Sequence, residues 1–174
     1  MKLQMKRQVC VLVFLLLCNF YLLSGQDVFR QAGIRAGYSG GLFFQAVHPS
    51  GTAETGYMAL LSFRNNGLQL TGMKIFYEDS LSEIIPDLFA GWGYGAHAGF
   101  VTEYLTVYEK KDYYYTSQRL CPLIGIDAWG ILEYRFRSMP LSVSLNLKPF
   151  FEIGLPSFFR LMPADLGISV SYLF

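Results

Sequence analysis

Hydrophobic and polar residues alternate with a period of two along most of this chain. In PLSVSLNLKPFFEI, from Pro140 to Ile153, odd positions carry Leu141, Val143, Leu145, Leu147, Phe151 and Ile153, and even ones carry Ser142, Ser144, Asn146, Lys148 and Glu152. Successive side chains of a β-strand point to opposite faces, so the pattern predicts a strand with one apolar and one polar face, interrupted near its end by Pro149. Upstream, IGIDAWGILEYRFR repeats the design. Ile124, Ile126, Ala128, Leu132, Tyr134 and Phe136 share one side, and Gly125, Asp127, Trp129, Glu133, Arg135 and Arg137 the other. RSMP joins the two strands and is short enough for a hairpin.

Toward the N-terminus the same reading continues. FAGWGYGAHAGFVTE sets Trp92, Tyr94, Ala96, Ala98 and Phe100 against Gly91, Gly93, Gly95, His97 and Gly99, and GIRAGYSGGLFF sets Ile34, Ala36, Tyr38, Leu42 and Phe44 against Arg35, Gly37, Ser39 and Gly41. TGYMALLSFR places Tyr57, Ala59, Leu61 and Phe63 opposite Gly56, Ser62 and Arg64, with Met58 and Leu60 blurring the contrast. An Asn66-Gly67 turn signal leads into LQLTGMKIFY, where Lys74 among apolar neighbours leaves the faces unassigned. Seven strands are predicted, at about 33 to 45, 55 to 65, 67 to 78, 89 to 102, 122 to 137, 140 to 153 and 165 to 174.

Composition decides which face looks outward. Only 16% of residues are charged, against about 25% in a soluble domain, while 52% are hydrophobic and 17% aromatic. The less apolar face is glycine, serine and a few charges of both signs, which suits a cramped interior, and the large aliphatic and aromatic face suits lipid. No apolar run after Leu23 is long enough for a spanning helix. Strands of about ten residues, apolar outside and polar inside, characterise transmembrane β-barrels, whose closure satisfies every backbone group. The predicted fold is therefore all-β, an antiparallel up-and-down transmembrane β-barrel. Tyr134, Phe136, Phe151, Tyr172 and Phe174 are placed for an interfacial girdle. A soluble lipid-binding barrel with the apolar face inside is the less favoured arrangement.

Lys2, Lys6 and Arg7 precede an apolar stretch from Val9 to Leu23, followed by Ser24 and Gly25, which reads as a secretory signal peptide over residues 1 to 25. Residues 26 to 174 are then a single exported barrel domain. Leu17 before Cys18 argues against a lipidation signal, and Cys121 alone remains in the mature chain, so no internal disulfide is available. The mature chain keeps 11 basic and 13 acidic residues, which gives no electrostatic case for nucleic acid.

The chain ends LGISVSYLF, with Leu166, Ile168, Val170, Tyr172 and Phe174 alternating with small or polar residues. On the alternation pattern and this C-terminal strand, the chain from Gln26 to Phe174 resembles the small outer-membrane β-barrel proteins of Gram-negative bacteria, of the OmpX and OmpA-domain size. The resemblance implies residence in the outer membrane among its lipids and a monomeric state. It also implies recognition of the C-terminal strand by the barrel-assembly machinery, with Leu166, Ile168, Val170, Tyr172 and Phe174 as the signal. Such barrels have an even number of strands, so eight are expected. The missing one is sought in 102 to 119 or in FEIGLPSFFRL, and the opening strand near Gly33 is expected to meet the last at the seam.

An eight-stranded barrel has an interior that side chains fill. Alternation projects Arg35, Arg64, His97, Asp127, Glu133, Arg135, Lys148 and Glu152 inward, and buried charges persist when paired, so a plug of salt bridges is expected. A narrow channel or transporter for small polar solutes is the functional alternative. The segment 103 to 120 carries Tyr104, Tyr108, Tyr113, Tyr114 and Tyr115 and is expected as an outer loop, a candidate contact surface for an unidentified surface ligand. His48 lies beside Ser50 and Glu54 without triad spacing, and neither a phosphate-binding loop nor a metal-ligand cluster is present in the sequence. No catalysis, cofactor or metal is expected.

Overall fold

The computed structural model describes residues 28 to 50, 53 to 64, 67 to 78, 81, 85 to 108, 114 to 154 and 158 to 174; the expected leader lies outside them. Ten strand segments follow in order: β1 (Phe29–Gly37), β2 (Gly41–Ser50), β3 (Ala53–Arg64), β4 (Gly67–Glu78), β5 (Leu88–Tyr108), β6 (Tyr114–Arg135), β7 (Leu141–Leu147), β8 (Phe150–Gly154), β9 (Phe158–Met162) and β10 (Leu166–Leu173). All pairings are antiparallel, and they close on themselves: β1 through β6 pair in sequence, β6 pairs with both β7 and β8, β8 with β9, β7 with β10, and β10 with β1. β7 and β8 form one barrel strand interrupted at Lys148 and Pro149, and β9 and β10 form another interrupted between Met162 and Leu166. The barrel therefore has eight strands.

Paired residues can be followed around the wall from Ser50 through Ala53, Glu78, Ala90, Leu132, Leu145 and Ile168 to Ala36. Ala36 lies one step past the Arg35–Gly41 pair and so level with Gly40, ten positions from the start. A stagger of this size around eight strands implies a tilt of about 40° to the barrel axis.

The eighth strand is not where the sequence suggested. The segment read as one strand at 33 to 45 is two, β1 and β2, folded back at Tyr38, Ser39 and Gly40. The stretch 102 to 119 supplies no separate strand. Where described, it prolongs β5 and β6, which remain paired out to Tyr108 and Tyr114. FEIGLPSFFRL is divided between β8 and β9, the upper parts of the last two barrel strands.

Turn length explains the error. Residues paired across a hairpin share a face. A three-residue turn therefore keeps odd positions inward on both sides, and Arg35, Ser39 and Gln45 are all buried. The alternation runs through the bend unbroken. A two-residue turn instead exchanges parity, as between β3 and β4, so Met58, Leu60, Arg64, Gln69, Thr71, Met73, Ile75 and Tyr77 face inward while Lys74 faces outward.

Burial is inverted relative to a soluble protein. Arg35, Arg64, Asp127, Glu133, Lys148 and Glu152 are buried, whereas Ile34, Leu70, Ile124, Ile126, Leu145, Ile153 and Leu161 are exposed, Ile124 to 67%. A predominantly apolar exterior over a charged interior places this wall in hydrocarbon rather than water. The protein is a membrane β-barrel. Both ends of the described chain, the turn at 136 to 140 and the segment around Asp87 lie at one rim, where Phe174 and Arg30 exchange backbone hydrogen bonds of 2.8 and 2.9 Å. There Arg137 donates to Asp87 at 2.8 Å, and Asp87 takes a left-handed φ of 70° just before β5. The opposite rim carries the Tyr38–Gly40 turn and the projecting β5–β6 hairpin.

Candidate functional site: the interior charge network

Two charged layers fill the barrel on either side of an apolar one. Toward the terminus-side rim, Arg135 pairs with Glu54 at 2.9 Å and Glu133 at 3.4 Å. Its guanidinium lies 4.1 Å from the Phe89 ring centroid, 4.5 Å from that of Phe29 and 5.1 Å from that of Tyr77. A planar, weakly hydrated cation suits such a cage better than an ammonium. Beside it, Ser171 donates to Gln31 at 2.8 Å, Gln31 to Gln45 at 3.0 Å, and Gln45 to the Tyr77 hydroxyl at 2.8 Å, a continuous polar chain across three strands and onto β4.

Above this layer Met58, Leu60, Met73, Ile75 and Trp129 pack together from β3, β4 and β6. These inward apolar residues made the alternation of β3 and β4 hard to read. A small cavity lined by Trp129, Arg35, Glu133, Ser144 and Ser169 has room for about one water molecule.

The upper layer is a network centred on two carboxylates. Glu152 accepts from Arg64 at 2.5 and 3.1 Å and from Arg160 at 3.2 Å, and lies 3.4 Å from His97 Nε2. Asp127 meets His97 Nδ1 at 2.7 Å and Lys148 Nζ at 2.6 Å. His97 thus stands between the two acids, with its ring edge-on to Phe150 at 5.7 Å. Lys148 and Glu152 are both wholly buried, a position that ions keep only with partners. Arg64 lies over Tyr38 and Phe150, which cap the network at 5.4 and 5.1 Å.

Arg35 anchors a third group. Nε donates to Asn146 at 2.6 Å, Nη1 to the Ser39 carbonyl at 2.9 Å and its hydroxyl at 3.0 Å, and Nη2 to Asp165 Oδ1 at 3.1 Å and the Asp165 carbonyl at 3.0 Å. Ser39 Oγ also donates to Asp165. The whole guanidinium lies on Gly167, where an added Cβ would be 2.7 Å from Cζ and 2.8 Å from Nε and Nη2. Gly125 clears the same kind of space for the His97 ring, which a Cβ would meet at 2.4 Å. Gly167→Ala is expected to lower stability by about 1 to 3 kcal/mol through overpacking, read as a shifted urea midpoint in lipid vesicles. Gly72→Ala, where a Cβ meets nothing within 4 Å, is the control expected near zero.

All eight charged residues projected inward by alternation lie in these layers, but the network also contains Asp165, Glu54, Arg160, Ser39, Asn146, Gln31 and Gln45. Asp165 opens the strand predicted at 165 to 174 and shares the inward parity of Ser169 and Ser171, but it is not among the residues projected inward. It keeps the β7–β10 register, its carbonyl accepting from Lys148 N at 2.8 Å, and a bulge follows on its far side: that register would set Phe150 against Pro163, yet Phe150 pairs with Met162. Among the described residues, five cations (Arg35, Arg64, Arg135, Lys148 and Arg160) meet five carboxylates (Glu54, Asp127, Glu133, Glu152 and Asp165) in these ion pairs, without counting His97.

Other candidate residues fall elsewhere. His48 faces outward, edge-on to Tyr57 at 6.2 Å, while Glu54 faces inward onto Arg135, and the side chain of Ser50 lies outside the described residues, so no triad assembles from the described groups. Leu166, Ile168, Val170, Tyr172 and Phe174 line the outward face of the closing strand, Leu166 being 62% exposed. That strand meets β1 with Gly33 opposite Ser171. The backbone of Tyr104, Tyr108, Tyr114 and Tyr115 belongs to β5 and β6; their side chains and all of Tyr113 lie outside the described residues.

Two solved structures are similar over most of the chain. The N-terminal β-barrel domain of Pseudomonas aeruginosa OprF is 15% identical with a TM-score of 0.44, covering 87% of this chain and all of that one. Neisserial surface protein A is 12% identical with a TM-score of 0.45, covering 84% of this chain and 96% of that one. No protein-family model and no curated protein matches the sequence. At such values the eight-stranded architecture rests on the strand pairing itself.

Proposed function

We propose that this chain is an exported, monomeric outer-membrane barrel, closed to solutes, with its termini on the periplasmic side and its β5–β6 hairpin meeting partners outside the cell. The observation that carries this reading is the length of that hairpin. β5 and β6 stay paired to Tyr108–Tyr114, whereas β4 leaves β5 at Gly67–Val101 and β8 leaves β6 at Leu123–Gly154. Beyond those rungs each strand has a backbone edge with no strand partner among the described residues, which is a template for a further strand. The five tyrosines in this stretch favour the same role, since aromatic side chains dominate contact hot spots. The paired charges and apolar layer filling the interior support a barrel that does not conduct. The outward apolar row ending at Phe174 supports recognition by the barrel-assembly machinery.

The test is replacement of residues 104 to 118 by a two-residue Asn-Gly turn in the full chain. Surface adhesion of cells producing the variant is expected to fall about tenfold, the scale of losing a hot spot, while the heat-modifiable outer-membrane band is unchanged. Unchanged adhesion removes the hairpin's role, recovery of the parent protein in the soluble periplasm removes the outer-membrane reading, and discrete conductance steps from pure protein in a planar bilayer remove the closed-barrel reading.

A further inference from the structure

The outward face is almost free of charge. Among the described strand residues, alternation turns only Arg30, Lys74 and Glu78 outward with a formal charge. Arg30 stands at the terminus-side rim beside Phe174, and Glu78 is the last residue of β4. Lys74 lies within β4, paired with Tyr57 of β3 and Tyr94 of β5. Its ammonium is 5.0 Å from the Phe76 ring centroid and 5.8 Å from that of Tyr57, and no acidic side chain among the described residues reaches it. Phe76 in turn stacks on Trp92 at 4.8 Å and lies 6.1 Å from Tyr94.

A lysine facing hydrocarbon without an anion is unfavourable, and ring faces offset only part of that cost. Phe76 is the next outward residue toward the terminus-side rim, so the flexible stem carries the charge toward the headgroups, where Tyr and Trp also prefer to lie. We propose that Lys74, within Tyr57, Phe76, Trp92 and Tyr94, seats the phosphate of an anionic phospholipid in the leaflet at that rim. Charge complementarity selects this occupant: the patch offers an uncompensated cation to the headgroup and flat aromatic surface to the glycerol and upper acyl chains. The inference rests on the membrane reading above.

Trp92 is half-exposed inside the seat, and the chain's other tryptophan, Trp129, is buried. Trp129→Phe therefore makes Trp92 the single tryptophan of the full chain, read with excitation selective for tryptophan over the 12 tyrosines. In vesicles, brominated phosphatidylglycerol is expected to quench Trp92 with about fivefold higher relative affinity than brominated phosphatidylcholine, the effect of a basic residue near the surface. Adding Lys74→Gln should bring the ratio to about one, and Lys74→Arg should keep it, since either cation meets a phosphate. Native mass spectrometry of the protein with Trp129 intact, counting phosphatidylglycerol adducts with and without Lys74→Gln, gives the same comparison free of the reporter substitution. Equal affinities in the parent, or a preference that survives Lys74→Gln, overturn the proposal. Absence of quenching by both lipids overturns the membrane reading instead.

Discussion

Glu152→Leu is expected to lower the stability of the barrel by about 3 to 5 kcal/mol, the cost of breaking a buried ion pair from one side. Glu152 accepts from Arg64 and Arg160 and lies against His97, so its removal leaves cations in the interior without their acid. Urea unfolding in vesicles, followed by the heat-modifiable gel shift, measures the change. Adding Arg64→Met should recover part of the loss, because replacing both members of a buried pair by apolar groups is far less costly than orphaning one. A single variant as stable as the parent would mean that solvent reaches the pair and that the interior is wetter than its packing implies.

Deletion of Phe174 is expected to lower the assembled fraction severalfold. The residue contributes to the wall in two separable ways. Its backbone exchanges hydrogen bonds with Arg30 across the closing seam, and its ring stacks near Tyr172 at 6.3 Å and lies 6.2 Å from Phe44 on the outward face. Phe174→Ala keeps the backbone and removes the ring. Equal losses in the two variants would assign the effect to the aromatic group, as anchor or assembly signal, and a loss confined to the deletion would assign it to the seam. Assembly unaffected in either would remove the terminal residue from the account of how the barrel closes. The measurement is the heat-modifiable fraction in outer membranes at matched expression.

Legibility from sequence varied with what each residue had to satisfy. Where one face meets lipid and the other a polar interior, as in β7 and β10, side-chain chemistry alternates cleanly and the faces can be assigned residue by residue. Where the interior turns apolar, at Met58, Leu60, Met73 and Ile75, both faces are hydrophobic and the period fades. The bend at Tyr38–Gly40 escaped because three residues preserve parity, leaving only the composition of YSGG as a signal. Arg160 escaped for the opposite reason: a bulge between Met162 and Asp165 shifts the period, so extrapolation from Ser169 and Ser171 reaches Asp165 but assigns Arg160 to the wrong face. The charged interior was thus visible as a set of inward positions. Its partners were not, since Arg35 with Asp165 and Arg64 with Glu152 join residues far apart in sequence whose meeting depends on barrel stagger.

The two interruptions in the last pair of strands lie side by side, at Lys148–Pro149 and at Pro163–Asp165, and they divide the wall mechanically. Below them β10 is held on both sides, by β7 and β1; above them β9 has β8 alone as a strand partner among the described residues, and β8 is tied to the rest through β6. The β8–β9 corner is therefore held to the other strands along β6 alone, and its detachment breaks five rungs and the Arg64–Glu152 ion pair while the seam stays shut. Such a corner can breathe as its own cooperative unit, so that access to the upper charge layer and integrity of the closed ring are governed by different free energies.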